Sequence, residues 1–303
     1  MTTVGFIGLG VMGYPMARNL LANGFDVIGY NRSQAKTDRF AGDGGRAATS
    51  VADAVSAADI VITMLPDSPD VQTVLCGPDG VFASARPGTL VIDMSTIRPD
   101  VTRDIAAEAA ERQLRFIDAP VSGGEQGAID GALSIMVGGQ AEDVAAAQPA
   151  LAAMGTTIVH VGPAGSGQTV KAANQLIVAG TIELVAEALT FLDAQGVDLP
   201  PATRVLAGGL AGSAVLDRKG PAMLARNFAP GFRVDLHHKD LGIFSEASRQ
   251  AGTAAPLGAL VTSLMASLRA QGMGDLDHSA LFLQVEELSG RSGKKPGLSS
   301  PVR

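Results

Sequence analysis

The sequence predicts an α/β protein: a doubly wound, mostly parallel sheet followed by an all-α domain, the two joined by one long helix. Three observations carry this. Short apolar runs rich in β formers alternate with helically spaced segments through the first half, as right-handed βαβ crossovers require. A G-x-G-x-x-G loop stands between the first strand and the first helix. Beyond Gly162 strand-like alternation stops and helical spacing continues.

"TVGFIGL" reads as a buried strand, and "GYPMARNLLANG" as a helix closed by Gly24. "FDVIGY" is a second strand, and "SQAKTDRFAGDGG" a helix with a glycine exit. "DIVITMLP" is a strand stopped by Pro66. "VQTVLCG" and "GVFASA" are short helical or turn pieces. The strand "TLVIDMS", the helix "RPDVTRDIAAEAAERQL" and the strand "RFIDAPVSG" follow, then "LSIMVGG" as a further strand. "AEDVAAAQPALAAMG" is a helix and "TIVHVG" the last strand. From "PAGSGQ" to about residue 194 no proline or turn cluster interrupts the chain, which predicts the long helix. Helical segments are expected at 201–208, 213–217, 221–226, 238–250, 256–270 and 277–288. The domains are therefore placed at 1–162 and 163–289. The basic, Gly/Ser/Pro-rich stretch 290–303 is read as a flexible tail or an arm that packs on a neighbouring subunit.

Composition narrows the function. The 303 residues are 46% hydrophobic and only 17% charged, so the chain can bury a substantial core. A net charge of −7 argues against nucleic acid as partner, although a local basic spot can still hold one small anion. Cys76 is the one cysteine, which leaves no intrachain disulfide and no Cys-based metal cluster. "MTTVGFIGLG" has no basic n-region, and its apolar run is too short for a signal peptide or a span. The apolar segment 172–192 contains Glu183 and Glu187 and reads as a buried helix. A cytoplasmic location without membrane attachment is expected. His160, His237, His238 and His278 lack metal-ligand spacing, so no metal is expected.

"GLGVMG" supplies Gly8, Leu9, Gly10, Val11, Met12 and Gly13 as a cofactor cradle. Gly8 permits the tight turn, Gly10 lets backbone approach a pyrophosphate, and Gly13 lets the helix sit close to the strand. N–H groups at the helix start then face the phosphates. An NAD site commonly has an acid at the end of the second strand. Here "VIGYNRS" ends in Asn31, Arg32 and Ser33, with Lys36 one turn on. Asp26 is at the other end of that strand, about 16 Å away at about 3.3 Å per residue. Arg32 offers a planar fork for a 2′-phosphate, and no carboxylate repels one, so NADP is preferred over NAD. The alternative is a solvated Arg32 stacking on adenine.

Two more spots suggest chemistry. Lys171 lies about a turn into the long helix, in an otherwise apolar stretch, where an ammonium needs partners or a lowered pKa. Asn174 and Gln175 share its helical face. The alternative is a lysine snorkelling to water near the helix start. Ser122, Gly123 and Gly124 follow a strand at the sheet's carboxyl edge, where a hydroxyl and exposed N–H groups can hold a carboxylate, unless they form an ordinary turn.

"GFIGLGVMGYPMARNL", "DAPVSGG", "GSGQTVKAANQ" and "GFRVDLHHKDL" together resemble the β-hydroxyacid dehydrogenase family over about residues 3–288. The resemblance implies a Rossmann-type domain, NADP or NAD, and hydride exchange with a small 3-hydroxyacid or its semialdehyde. It makes Lys171 the catalytic lysine, Asn174 a substrate-binding amide, and Ser122–Gly124 a substrate loop. It also implies that Thr96 and the Met64–Leu65–Pro66 turn line the cofactor. Lys239 would stand near the nicotinamide end with Asp240 beside it, although unaided that pair reads as a surface pair. Where the family often has a second Asn, this chain has Gln175. Together with the stretch from "GGLAGSAVLDRKG" onward, that is similar to the tartronate semialdehyde reductase branch. 3-Hydroxyisobutyrate, glyoxylate and succinic semialdehyde remain alternative substrate readings. Imine reductases and catalytically silent scaffolds of this fold lack the lysine, so Lys171 argues against both. A homodimer or homotetramer is implied by the resemblance.

Overall fold

The computed structural model describes residues 1–291, so the expected tail lies, from residue 292 on, outside the described residues. The chain divides within its longest helix into two compact units, Met1–Ala172 and Ala173 onward.

The first unit runs β1 (Thr3–Ile7), α1 (Gly13–Ala22), β2 (Asp26–Tyr30), α2 (Gln34–Gly42), β3 (Arg46–Ala47), α3 (Val51–Val55) and β4 (Ile60–Thr63). It continues with α4 (Ser68–Cys76), α5 (Val81–Ser84), β5 (Leu90–Asp93), α6 (Pro99–Glu111), β6 (Arg115–Asp118) and β7 (Val121–Ser122). Then come α7 (Gly124–Ile129), β8 (Leu133–Gly139), α8 (Ala141–Ala152), β9 (Gly155–Gly162) and the start of α9 (Ser166–Ala194). The strand order is β3-β2-β1-β4-β5-β6-β8-β7, with β9 beside β8. Pairing is parallel except where β8 meets β6 and β7. The sheet is mostly parallel, as the alternating pattern predicts.

Alternation along the strands sorts side chains to two faces. Val4, Phe6, Ile60, Ile62, Leu90 and Ile92 enter one buried cluster; Ile7, Ile28, Val61 and Val91 enter another. The order reverses between β1 and β4, the switch point where ligands bind at strand carboxyl ends. Gly8 ends β1 there at φ +106, and a Cβ on it would lie 2.3 Å from the Met64 carbonyl oxygen at the end of β4.

The stretch expected as one strand at "RFIDAPVSG" breaks at Ala119–Pro120 into β6 and β7. Proline cannot donate to a ladder, and β7 pairs with β8 alone. The small elements β3, α3 and α7 had no clear periodic signal, being two to six residues long.

The second unit holds the rest of α9, then α10 (Leu199–Ala207), α11 (Ala214–Leu224), α12 (Val234–Gln250), α13 (Pro256–Ala270), a 3-10 turn (His278–Ala280) and α14 (Leu281–Leu288). Its core gathers Ile182, Leu189, Leu216, Met223, Phe228, Leu241, Met265 and Leu281. The separate pieces expected at 213–217 and 221–226 form one helix, α11, with Pro221 inside it. Proline withholds one N–H there, but Leu216, Gly220 and Met223 are buried along the helix and keep it continuous.

α9 has 29 residues and is long and apolar enough to cross a bilayer by length and composition, with 44% of its most apolar window buried in the protein. Glu183 lies within it, and burial, with Glu187 nearby, pushes its carboxyl up to about 7. Val170, Ile177, Leu184 and Phe191 are exposed at seven-residue intervals and form an apolar stripe on that helix.

Candidate active site

The glycine-rich loop is built as its spacing predicts. A Cβ on Gly13 would lie 1.9 Å from the Gly8 carbonyl oxygen, so that helix start tolerates nothing larger. A Cβ on Gly10 would meet nothing within 4 Å. Packing demands Gly8 and Gly13, whereas Gly10 leaves open space beside the backbone, the cradle a pyrophosphate needs. The loop borders a cleft of about 610 Å³ whose lining includes Leu9, Gly10, Val11, Lys36 and Arg39.

At the exit of β2, Asn31 Oδ1 accepts from the Leu9 N–H at 3.1 Å and ties the strand to the loop. Asp26 begins β2 and pairs with Arg46 at 2.8 Å. Other nearby cations are engaged as well: Arg18 faces Asp43, and the Arg39 guanidinium lies 4.2 Å from the Tyr14 ring centroid. Arg32, Ser33 and Lys36 are exposed. Among the described residues, Arg32 and Lys36 carry no side-chain hydrogen bond or ion pair. The geometry leaves two cations and a hydroxyl exposed at this strand end.

Lys171 is 6% exposed, six residues into α9. A lysine snorkelling to water would show its head, so burial favours the functional reading. The start of α9 is fixed from the sheet. Asp118, at the end of β6, accepts from the Gly165 N–H at 2.7 Å and from the Gln168 N–H at 2.8 Å. Burial raises the Asp118 pKa, and these backbone hydrogen bonds work against that rise. The neighbouring Asp93, opposite Asp118 in the β5–β6 register, is fully buried. Its Oδ1 accepts from Thr63 Oγ1 at 2.8 Å and from the Ser95 N–H at 3.1 Å. Burial pushes its carboxyl up to about 6.

Thr96 sits in the loop after β5, and Met64, Leu65 and Pro66 follow β4. The Leu65 N–H donates to Ser95 Oγ at 2.9 Å, which joins the two loops. Ser122 and Gly123 are partly buried at the end of β7, and Gly124 opens α7; both glycines have positive φ, +145 and +67. None of Asp93, Ser95, Asp118 and Gln168 was singled out from sequence as a site residue. Gln168 lies inside the quoted "GSGQTVKAANQ", but its partners are far away in the chain.

In the second unit, Asn174, Gln175, Lys239 and Asp240 come together. Asn174 Nδ2 donates to Gln175 Oε1 at 2.9 Å, and Gln175 Nε2 donates to Asp240 Oδ2 at 2.5 Å. Lys239 Nζ lies 2.9 Å from Asp240 Oδ1. Asp240 is 2% exposed, so the surface-pair reading of Lys239–Asp240 does not hold. The fixed carboxylate orients the Gln175 amide, which in turn orients Asn174. His237 and His278 face each other through Nδ1 atoms 2.9 Å apart, and His237 Nε2 lies 3.1 Å from the Gln175 carbonyl oxygen. Burial pushes the Cys76 thiol up to about 12, with Glu108 adding to the rise, which makes it a poor nucleophile.

Two family models match. One, described as the NAD binding domain of 6-phosphogluconate dehydrogenase, covers residues 3–162. The other, described as the NAD-binding domain of NADP-dependent 3-hydroxyisobutyrate dehydrogenase, covers residues 165–284. The NAD-dependent L-serine dehydrogenase of Pseudomonas aeruginosa is 39% identical over 288 residues, 93% of this chain and 97% of that one. The 2-hydroxy-3-oxopropionate reductase of Escherichia coli is 39% identical over 283 residues, with the same shares of 93% and 97%. Among solved structures, 3-hydroxyisobutyrate dehydrogenase of Mycobacterium tuberculosis with L-serine aligns at a TM-score of 0.85 and 36% identity, covering 93% of this chain and 98% of that one.

Asp93 makes stability depend on pH. Its pKa is raised from 3.8 to about 6 on folding, so the folded chain binds the proton more tightly than the unfolded one. Stability should therefore fall as pH rises from 3.8 to about 6 and level off above, a loss on the order of 3 kcal/mol. Asp93→Asn should flatten that part of a plot of melting temperature against pH, although Glu183 leaves a residual slope of the same sign. A variant profile parallel to wild type would assign the dependence elsewhere.

Proposed function

The chain belongs to the β-hydroxyacid dehydrogenase family, a nicotinamide-dependent oxidoreductase type acting on hydroxyl groups, and on that premise we propose that it reduces tartronate semialdehyde to glycerate with NADPH. The observation that carries the reading is a buried Lys171 on a helix whose start is locked to the sheet by Asp118. The nicotinamide, when bound, supplies the hydride. Gly8–Gly13 seat its pyrophosphate, and Leu65 and Thr96 belong to the two joined loops proposed to wall it. Ser122 Oγ and the N–H groups of Gly123 and Gly124 hold the substrate carboxylate. Lys171 Nζ gives its proton to the carbonyl oxygen as the carbon receives hydride, leaving a hydroxyl; in the reverse direction the neutral amine takes that proton back. Asn174 binds the substrate oxygen, with Lys239 and Asp240 in the same polar cluster of the second unit.

Arg32, Ser33 and Lys36 support NADPH over NADH, since their neighbours Arg18, Arg39 and Arg46 are already engaged. The stripe Val170, Ile177, Leu184 and Phe191 supports association with further copies of the chain, as a homodimer or homotetramer, which molar mass by light scattering tests. A chain with one cysteine can form no intrachain disulfide, which supports a reducing, cytoplasmic location.

NADPH oxidation should be faster with tartronate semialdehyde than with methylmalonate semialdehyde, succinic semialdehyde or glyoxylate. Faster NAD reduction with L-serine or 3-hydroxyisobutyrate would replace the substrate assignment and keep the chemistry. Lys171→Ala should lower kcat by about a hundredfold to ten-thousandfold, and a loss under about tenfold would remove the lysine from the mechanism. Arg32→Asp should cost about tenfold to a hundredfold in kcat/KM with NADPH while sparing NADH. An equal loss with both cofactors would count against the 2′-phosphate reading.

A further inference from the structure

The first turn of α9 carries a glutamine that the reading above does not use. Gln168 is 1% exposed, and both ends of its side-chain amide are engaged with one loop. Nε2 donates to the Ser95 carbonyl oxygen at 2.8 Å, and Oε1 accepts from the Ile97 N–H at 3.1 Å. The amide therefore brackets Thr96 from both sides. The backbone N–H of Gln168 donates to Asp118 at 2.8 Å. Ser95 extends the set, accepting from the Leu65 N–H and donating to Asp93. One hydrogen-bonded network thus ties the carboxyl ends of β4, β5 and β6 to the first turn of α9. Lys171 follows Gln168 by three residues, about 4.5 Å of helix rise.

We propose that Gln168 is a positioning residue for hydride and proton transfer: it holds the Thr96 loop in register with the helix turn that carries Lys171. The inference rests on the reading of Lys171 as proton donor and of the Thr96 loop as cofactor wall. No bond to Gln168 forms or breaks. It sets the separation between the carbon that receives hydride and the ammonium that supplies the proton. A misplacement of about 1 Å can cost on the order of a hundredfold in rate.

The site requires a side chain that donates at one end and accepts at the other, closed off from water. Glutamine does both, and leucine does neither. Ionised glutamate accepts at both ends and turns a lone pair on the Ser95 carbonyl. Protonated glutamate restores the pattern, its O–H replacing Nε2–H. The ionisable groups near this turn are Asp93 and Asp118 in the network, Lys171 on the same helix, and Arg103 of α6, whose side chain lies against Gly165. Burial and the two aspartates favour the protonated form at residue 168, and Lys171 and Arg103 oppose them.

The test compares full-length Gln168→Leu and Gln168→Glu with wild type and Lys171→Ala, using NADPH and the semialdehyde that wild type turns over fastest. In weakly alkaline buffer both variants at 168 should lose about tenfold to a hundredfold in kcat, with KM nearly unchanged. The isotope effect from NADPH deuterated at the transferred position should rise in both. On acidification Gln168→Glu should regain kcat relative to wild type, and Gln168→Leu should not. Melting temperatures of Gln168→Glu over the same pH range should lie well above the assay temperature, so that the recovery is read within one folded variant and not from refolding. Wild-type kcat in both variants, a loss confined to KM, or a deficit in Gln168→Glu that does not change with pH would overturn the proposal. Should Lys171→Ala be inactive while both variants at 168 keep wild-type kcat, the positioning role alone fails. Should Lys171→Ala keep wild-type activity, the proton-donor reading fails and this one falls with it.

Discussion

The carboxylate of Asp118 is the constraint on which the placement of Lys171 depends. A helix start leaves N–H groups without intrahelical partners and a positive dipole end. Asp118 meets both from the end of β6, with N–H groups of Gly165 and Gln168 at 2.7 and 2.8 Å. Room for this carboxylate is made by glycine. A Cβ on Gly138 would lie 2.4 Å from one of its oxygens, and a Cβ on Gly167 2.7 Å from the other. Because Lys171 lies one turn beyond Gln168 on α9, fixing that first turn also fixes the direction in which Lys171 points.

Acids serve as connectors in the second unit as well. Asp240 joins α12 to α9 through Gln175, and it also pairs with Lys239 beside it on α12. Asp277 accepts from Lys219, Ser279 and the N–H groups of Gly231 and Phe232, and the charges of His278 and Lys219 hold its carboxyl well below the usual range. Asp93 is the opposite case, buried with few donors and pushed upward. The contrast follows from neighbours: cations beside a buried carboxylate hold its pKa down, and a buried carboxylate with only hydroxyls and an amide has its pKa pushed up by desolvation. Such networks are costly to bury but, when satisfied, allow only one register between elements.

Much of this was legible in the sequence, because the relevant signals are local. Strand runs, helical spacing and the uninterrupted stretch to residue 194 depend on neighbouring residues, and they placed the sheet, α9 and Lys171. The loop Gly8–Gly13 carries its own spacing. What escaped is non-local. Gln168 meets residues 71 and 73 positions away, and Asp118 meets residues 47 and 50 positions away, so no window of sequence shows either contact. Asp93 reads as one more residue in "TLVIDMS", and only burial reveals its unusual proton affinity. Pro221 misled in the other direction, because tertiary burial of α11 outweighs one missing hydrogen bond.

Gly10 differs from the two glycines around it in a way that bears on how the protein can fail. A side chain at Gly8 or Gly13 strikes backbone, whereas one at Gly10 extends into space that the fold leaves empty. Damage at the first two positions would surface as scarcity, since chains that fold poorly are cleared by proteases. Damage at Gly10 would pass that surveillance and leave an abundant, well-folded chain with a side chain in the space proposed for the pyrophosphate. The loop thereby separates two kinds of inactive allele, one missing from the cell and one present but idle.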